Sequence, residues 1–511
     1  MASFFSDFED QFSEYTWPRL IYSAVRAPAY HFYFEISLII GIIWLLFKRS
    51  YNIRDNAELS SSEKKQLIEE WVPEPLVPAS WTPPKKLLER FHRASVGAVK
   101  KYVQFEDRSS GKDKLKTVPH LNVASLNFLD FIGDETLNQV AIKALRKYGL
   151  GACGPRGFYG TFDAHLSLEK ALETFIGVEE VALYSFGFST IASAIPAYAK
   201  RTDIIFADEG VSQAVHEGLL ASRSTIRYFR HNDMDHLEEL LAAQQVEDVI
   251  DPKRASQIRR FFVVEGLYLD YGDICPLPRL VDLKYKYKVR IILDETISFG
   301  VLGEAGRGVT EHFGINVDHV DVITGSLETA IGVFGGFCAG SHFVVDHQRL
   351  SGQGYCFSAS LPPILAVASE AAVECLQKES GSRQRRLRHI AHLLQDRLQE
   401  KTLAQYWTLD PATHPDSPVK HIRLAVGKNT IDRLEEACDL ASSLPQSLEV
   451  SDKALLTTPV LLTVARHVEG AHRKIPAPSI RLSLNYSITD DELMHICSVL
   501  VKVGEVISAK D

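Results

Sequence analysis

Lysine is missing from a long internal stretch of this chain: none stands between Lys288 and Lys378. Cysteine is sparse as well, with seven residues and no CxxC pair. An odd count leaves at least one thiol unpaired within the chain, which argues against a disulfide framework or a zinc site and suits a reducing compartment. Positive charge is not in excess. A net charge of -9 gives no reason to expect nucleic acid as a partner. Internal repeats and low-complexity tracts are also absent, which excludes solenoid and compositional classes. What remains is an ordinary globular composition over 511 residues, enough for a large core and two lobes.

The longest apolar run lies near the N-terminus. Residues 32–47 read FYFEISLIIGIIWLLF, sixteen residues with Glu35 as the only charge, closed by Lys48-Arg49. A bilayer core asks for about 20 residues. The flank from Ala27 brings the run within reach, so a transmembrane helix over 31–50 is the expectation, with an interfacial or re-entrant anchor as the alternative. A cleaved signal peptide is not indicated, because a basic leader and a small-residue end are lacking. Upstream, Phe5, Phe8, Phe12 and Tyr15 recur at helical spacing opposite Asp7, Glu9, Asp10 and Glu14, with Trp17 following. Residues 1–30 therefore read as an amphipathic membrane-surface segment or a partner-bound helix. Basic residues favour the C-terminal side of the run (Lys48, Arg49, Arg54, Lys64, Lys65). That bias puts the bulk of the chain in the cytosol.

Residues 51–120 are polar and punctuated by proline (Trp71-Val-Pro73-Glu-Pro75, Thr82-Pro83-Pro84), a linker running into an N-terminal arm. From Asn122 short β-branched or aromatic runs alternate with helical stretches. Strands are expected at 181–184, 203–207, 261–265, 289–294 and 320–324, and helices at 165–176, 276–287 and 364–378. Strands separated by helix-length segments predict an α/β fold with a mostly parallel central sheet. The large domain should span 121–375 and a small α+β C-terminal lobe 376–511. Ligands on such sheets sit at the carboxyl ends of the strands, where Asp208, Glu265 and Asp294 fall. The basic stretch Arg383-Gln-Arg385-Arg386-Leu-Arg388 reads as a solvated helix face.

The lysine-free window carries other marks of a cofactor pocket. A buried strand ends in Asp294-Glu295, a glycine-rich turn follows (Gly300-Val-Leu-Gly303-Glu-Ala-Gly306-Arg-Gly308), and a second strand leads into Gly325-Ser326-Leu-Glu-Thr329-Ala-Ile-Gly332-Val-Phe-Gly335-Gly336. A pocket for pyridoxal phosphate needs an amine there to hold the cofactor and move the substrate's proton. Together with Tyr148-Gly149-Leu-Gly151-Ala-Cys-Gly154-Pro155-Arg156-Gly157, His165-Leu-Ser-Leu-Glu169 and Phe357-Ser358-Ala-Ser360-Leu-Pro362-Pro363, these motifs resemble the α-oxoamine synthases. Those are fold-type-I, aspartate-aminotransferase-like enzymes that use pyridoxal phosphate (PLP) to condense an amino acid with an acyl-CoA. The resemblance runs from about residue 85 to 505. With the N-terminal apolar segment, it is most similar to the non-catalytic long-chain-base subunits of eukaryotic serine palmitoyltransferases.

The resemblance implies a specific set of losses. The family's lysine falls at Thr329, its ring-stacking histidine at Ser212, and the histidine beside the cofactor's phenolic oxygen at Ile297. His216 is four positions too far to substitute. Asp294 is kept at the place of the carboxylate that holds the pyridine nitrogen, either as a vestige or as a strand-end acceptor. Arg481 fits the carboxylate-binding arginine, while Ile488 replaces a histidine. An independent synthase is not expected. Family members build active sites across a dimer interface, so Phe158 and Tyr159 on the glycine loop, with Ser358 and Ser360, become candidates for contact with a cofactor held by a partner. The alternative is that both serines only cap the chain before Pro362-Pro363. No metal site is expected. By resemblance, the partners are a lysine-bearing serine palmitoyltransferase subunit holding PLP, a small activating subunit, Orm-type regulators and membrane lipids, on the endoplasmic reticulum with a single pass. The competing reading is a structural or lipid-sensing pseudoenzyme with no catalytic partner.

Overall fold

The computed structural model describes residues 29–47, 60–77, 93–107, 119–443, 458–468, 470 and 472–509. The chain divides into two units, Met1–Pro84 and Lys85–Asp511. In the first, the apolar run forms a helix, Ala29–Phe47, and a second helix, Ser61–Glu70, starts in a capping box between Ser60 and Glu63. Among the described residues no helix is long and apolar enough to cross a membrane. This overturns the single-pass assignment to the endoplasmic reticulum membrane. The sixteen-residue run rises only about 24 Å against a hydrocarbon core of about 30 Å, and Glu35 interrupts it. The amphipathic pattern of Phe5, Phe8, Phe12, Tyr15 and Trp17 lies outside the described residues, as do Lys48, Arg49 and Arg54.

The second unit contains three sheets. β1 (Arg93–Val96), β2 (Tyr102–Asp107) and β3 (Pro119–Asn122) form an antiparallel meander. The central sheet uses β4 (Glu180–Tyr184), β5 (Ile204–Asp208), β6 (Thr225–Phe229), β7 (Arg260–Glu265), β8 (Arg290–Asp294), β9 (Val322–Ser326) and β10 (Gly336–Gly340). Their order is β4-β10-β9-β8-β7-β5-β6. Only β10 runs antiparallel to its neighbours. The third sheet joins β11 (Trp407–Leu409), β12 (Val419–Leu424), β14 (Thr463–Val464) and β15 (Ile480–Ser483). β13 (Val460–Leu461) crosses to pair with β3.

The expected mostly parallel sheet with helical crossovers is present. Its inner strands are covered on both faces, so they read as unbroken apolar runs rather than alternating ones: Ile204, Ile205 and Phe206, then Phe261 to Val264, then Ile291 to Leu293 are all buried. β10 escapes the sequence reading because it is built of small residues. A methyl on Gly336 would overlap Thr190 Oγ1 and sit 3.0 Å from the Gly187 backbone, so close packing against the helix Gly187–Tyr198 demands glycine where strand propensity would ask for bulk.

The basic stretch at 383–388 is a solvated face only at Arg385. In the helix Ser382–Gln399 the Arg383 side chain is only 9% exposed. It donates to Leu129 O at 2.6 Å, pairs with Glu379, and lies over the Phe131 and Tyr486 rings at 4.1 and 4.8 Å. Arg386 reaches Ile488 O and Asp490, and Arg388 reaches Glu304 and Gly303 O. Guanidinium groups carry enough donors to bind several carbonyls at once. Here they tie the helix to the start of the core and to the glycine turn.

Candidate functional site

The parallel strands β5, β7 and β8 end together, and this places their terminal carboxylates along one edge. Register pairs Glu265 directly with Asp294. Asp294 Oδ1 accepts from the Thr296 amide and hydroxyl at 3.2 and 2.7 Å and from the Thr324 hydroxyl at 3.2 Å. Glu265 Oε1 accepts the Ser212 amide at 2.6 Å. Burial raises the proton affinity of both carboxyls, and the Asp294 charge raises Glu265 further. Next along the chain, Glu295 receives the Val309 amide at 3.0 Å and the Ser298 hydroxyl, and burial lifts its pKa to about 7. Gly308, at φ +102°, lets the glycine turn close on that carboxylate, since any Cβ there would lie 2.6 Å from it.

A cavity of about 350 Å³ opens at this edge. Ser212, Asp294, Ile297 and Thr329 all line it, as do Glu265, Glu328, Asp270, His467, His472, Arg466 and Arg481. No lysine is among its lining residues. The Thr329 hydroxyl is committed to Thr296 O at 2.7 Å. Ile297 is 6% exposed and presents only aliphatic surface. Ser212 sits at the N-cap of the helix Gln213–Ser222. His216 points elsewhere: it is buried against the Tyr228 hydroxyl at 3.2 Å and does not line the cavity.

One feature escaped the sequence reading, and a second, Arg481, was expected from the resemblance. The N-terminus of the helix Gly187–Tyr198 faces the cavity, a place suited to an anion. There the Gly187 amide already points at Glu328 Oε1, 3.4 Å away. Arg481 is largely buried, its Nε has no hydrogen-bond partner, and desolvation lowers its proton affinity.

The remaining candidates lie outside the cavity. Phe158 and Tyr159 are 67% and 94% exposed at the loop tip, and Tyr159 takes a left-handed φ of +63°. Ser358 is half-buried, and its hydroxyl makes a local contact with Ala359 O at 3.3 Å. Ser360 differs. Its hydroxyl reaches Gly160 O at 2.5 Å and Gly154 O at 3.2 Å, so it holds the glycine loop from within the chain. The loop's base is clamped by Arg156, which binds Glu169 through two bonds of 2.7 and 3.1 Å.

These carboxyls set a pH dependence. Glu265, Asp294 and Glu295 keep their protons to higher pH in the folded chain than in the unfolded one. The folded state then binds more protons between the ordinary carboxylate range and neutrality, so this contribution to stability falls as pH rises through about 4 to 7. Glu265→Gln removes one of the groups. Thermal melts should show a smaller drop for the variant than for the wild type between about pH 5 and about pH 8. Parallel pH profiles would contradict a protonated Glu265.

A mostly parallel sheet with helical crossovers, a glycine turn and an Asp at a strand end beside a cavity define an aminotransferase-like chain. The chain belongs to the class I and II aminotransferase family, which it matches over residues 120–498. Within it, the chain belongs with the serine palmitoyltransferase 1 and long chain base biosynthesis protein 1 chains. It is 39% identical over 462 residues to serine palmitoyltransferase 1 of Dictyostelium discoideum, covering 90% of this chain and 91% of that one. It is 38% identical to long chain base biosynthesis protein 1 of Arabidopsis thaliana, covering 83% of each. In fold it is similar to serine palmitoyltransferase from S. paucimobilis with bound PLP, at a TM-score of 0.67 and 22% identity over 88% of this chain and 97% of that one.

The residues present do not fit a covalently held PLP. Thr329 offers no amine, Ser212 no ring to stack on, Ile297 no donor, and Glu328 brings a carboxylate to the helix end best placed for a phosphate.

Proposed function

We propose that this chain is the non-catalytic subunit of a serine palmitoyltransferase. It pairs with a lysine-bearing subunit that holds PLP and condenses L-serine with palmitoyl-CoA into 3-ketosphinganine and CO2, the entry to sphingolipid synthesis. The observation that carries this reading is Thr329, whose hydroxyl is spent on a backbone carbonyl in a cleft that otherwise keeps the scaffold of the family. The names of its relatives, serine palmitoyltransferase 1 and long chain base biosynthesis protein 1, support it. A small activating subunit and Orm-type regulators complete the assembly on the strength of the resemblance alone.

In this reading the chain contributes a surface rather than chemistry. Phe158 and Tyr159, exposed at the loop tip, and the half-buried Ser358 reach the partner's cofactor side. Ser360 and Arg156 act one step behind, by fixing the glycine loop that carries Phe158 and Tyr159. Asp294 serves as the strand-end acceptor for Thr296 and Thr324.

The test is Ser358→Phe in the co-expressed complex. The Ser358 side chain is half-buried and its hydroxyl bonds only the neighbouring Ala359 O, so the fold and assembly should persist. Synthase activity should fall severalfold with the two subunits still co-eluting. Unchanged activity would remove Ser358 from the interface with the reacting site.

A further inference from the structure

We propose that Asp270, His467 and His472 form a binding site for a divalent transition-metal ion, zinc by preference, at the rim of the cleft. This inference is independent of the subunit reading. Asp270 stands in the loop after β7, which the Leu267–Ile274 bridge closes on itself. The two histidines come from the connection between β14 and β15. The site therefore joins segments nearly two hundred positions apart in sequence.

The distances argue for a ligand rather than a hydrogen-bonded triad. Asp270 Oδ2 is 3.6 Å from His467 Nδ1 and 3.7 Å from His472 Nδ1, too long for hydrogen bonds. The three candidate ligand atoms all lie within 4.8 Å of one another. Ligands bound to tetrahedral zinc are separated by about 3.3–3.5 Å. Modest rotation of the imidazoles brings the set into that range. The rings meet edge to face, 5.2 Å apart at 86°, which leaves both Nδ1 atoms turned toward Asp270.

A second observation is a shielded carboxylate with only long contacts. The three side chains are only 15%, 7% and 10% exposed, and among the described residues the Asp270 carboxylate faces the two imidazoles, with the Arg481 charge nearby, and is given no hydrogen bond of normal length. A mostly buried carboxylate without a donor is costly unless a cation meets it. The spacing His467-x4-His472 matches the H-x3–5-H pattern of zinc ligands. The scarcity of paired cysteines excludes a thiolate zinc site but leaves this nitrogen and oxygen set open. A second cluster, Glu180, His342 and Asp346, is weaker because its carboxylates already pair with Arg349 and one another's histidine. Bound at the rim beside Arg481, the ion would pin the β14–β15 connection across the mouth of the cavity.

The experiment titrates cobalt(II), then zinc(II), into the purified full-length chain after dialysis against chelator. One equivalent of cobalt should produce the visible bands of a low-coordinate nitrogen and oxygen site, without thiolate charge-transfer absorption, and zinc should abolish them. His467→Ala and His472→Gln should each weaken zinc binding by more than the about 10–100-fold that loss of an outer partner brings. Should a variant fail to fold, the wild-type spectrum still decides. Absence of a stoichiometric cobalt band overturns the proposal. So does a thiolate spectrum, or wild-type affinity retained in both variants, either of which would put the ion elsewhere, for example on Cys153.

Discussion

Thr329→Lys, expressed without a partner, should show no synthase activity and no borohydride-fixed PLP. The substitution restores the amine but not its setting. Ile297 still closes one wall with aliphatic surface, and Ser212 still gives the cofactor ring nothing to stack on. Glu328 still presents its carboxylate at the N-terminus of the helix Gly187–Tyr198, where a phosphate would be repelled. A new lysine would also be drawn to Glu328 and the carboxyls at 265 and 294 rather than left neutral for attack. Product formation from L-serine and palmitoyl-CoA is the readout, with the mass of the borohydride-treated chain beside it. Turnover by the single variant would show that one residue, not the ensemble, silences the cleft.

Arg156→Ala should be the most destabilising single change near the glycine loop. The Arg156 and Glu169 side chains are 5% and 6% exposed and joined by two parallel bonds, and Glu169 also accepts the Leu183 amide of β4 at 3.2 Å. Removing one partner leaves a buried, unpaired carboxylate, which typically costs about 3–5 kcal/mol. The loop's anchor at the Thr161 hydroxyl, 3.0 Å from Arg156 Nε, is lost as well. Chemical denaturation of the full chain measures the loss. Arg156→Lys keeps the charge but not the fork, so it should fall between the two. A loss under about 1 kcal/mol, the scale of an exposed ion pair, would show that the loop is held by other contacts.

The parallel core was legible because its signal is local and redundant. Runs such as Phe261 to Val264 have no polar side to offer, and each ends in an acid that marks the carboxyl edge. Thr329, Ser212 and Ile297, singled out through the resemblance, line one cavity. What stayed hidden depends on partners distant in the chain. β10 is dictated by the approach of Thr190 and Gly187, not by its own residues. Arg383 looks solvated on a helical wheel, yet Leu129, Phe131 and Tyr486 surround it from elsewhere in the sequence. The Asp270, His467 and His472 cluster left only an H-x4-H spacing as its trace. Hydropathy misled in the opposite direction: an apolar run looked sufficient for a span until its length and Glu35 were set against the hydrocarbon thickness.

The account stands or falls on where the amine is. Affinity purification of the full-length chain from its own cells, after borohydride treatment and with mass spectrometry of every component, tests this directly. The expected result is a lysine-bearing homologue in roughly equal amount, PLP fixed to a lysine of that homologue, and none on this chain. Recovery of the chain without such a homologue, or PLP fixed to the chain itself, would contradict a silent subunit.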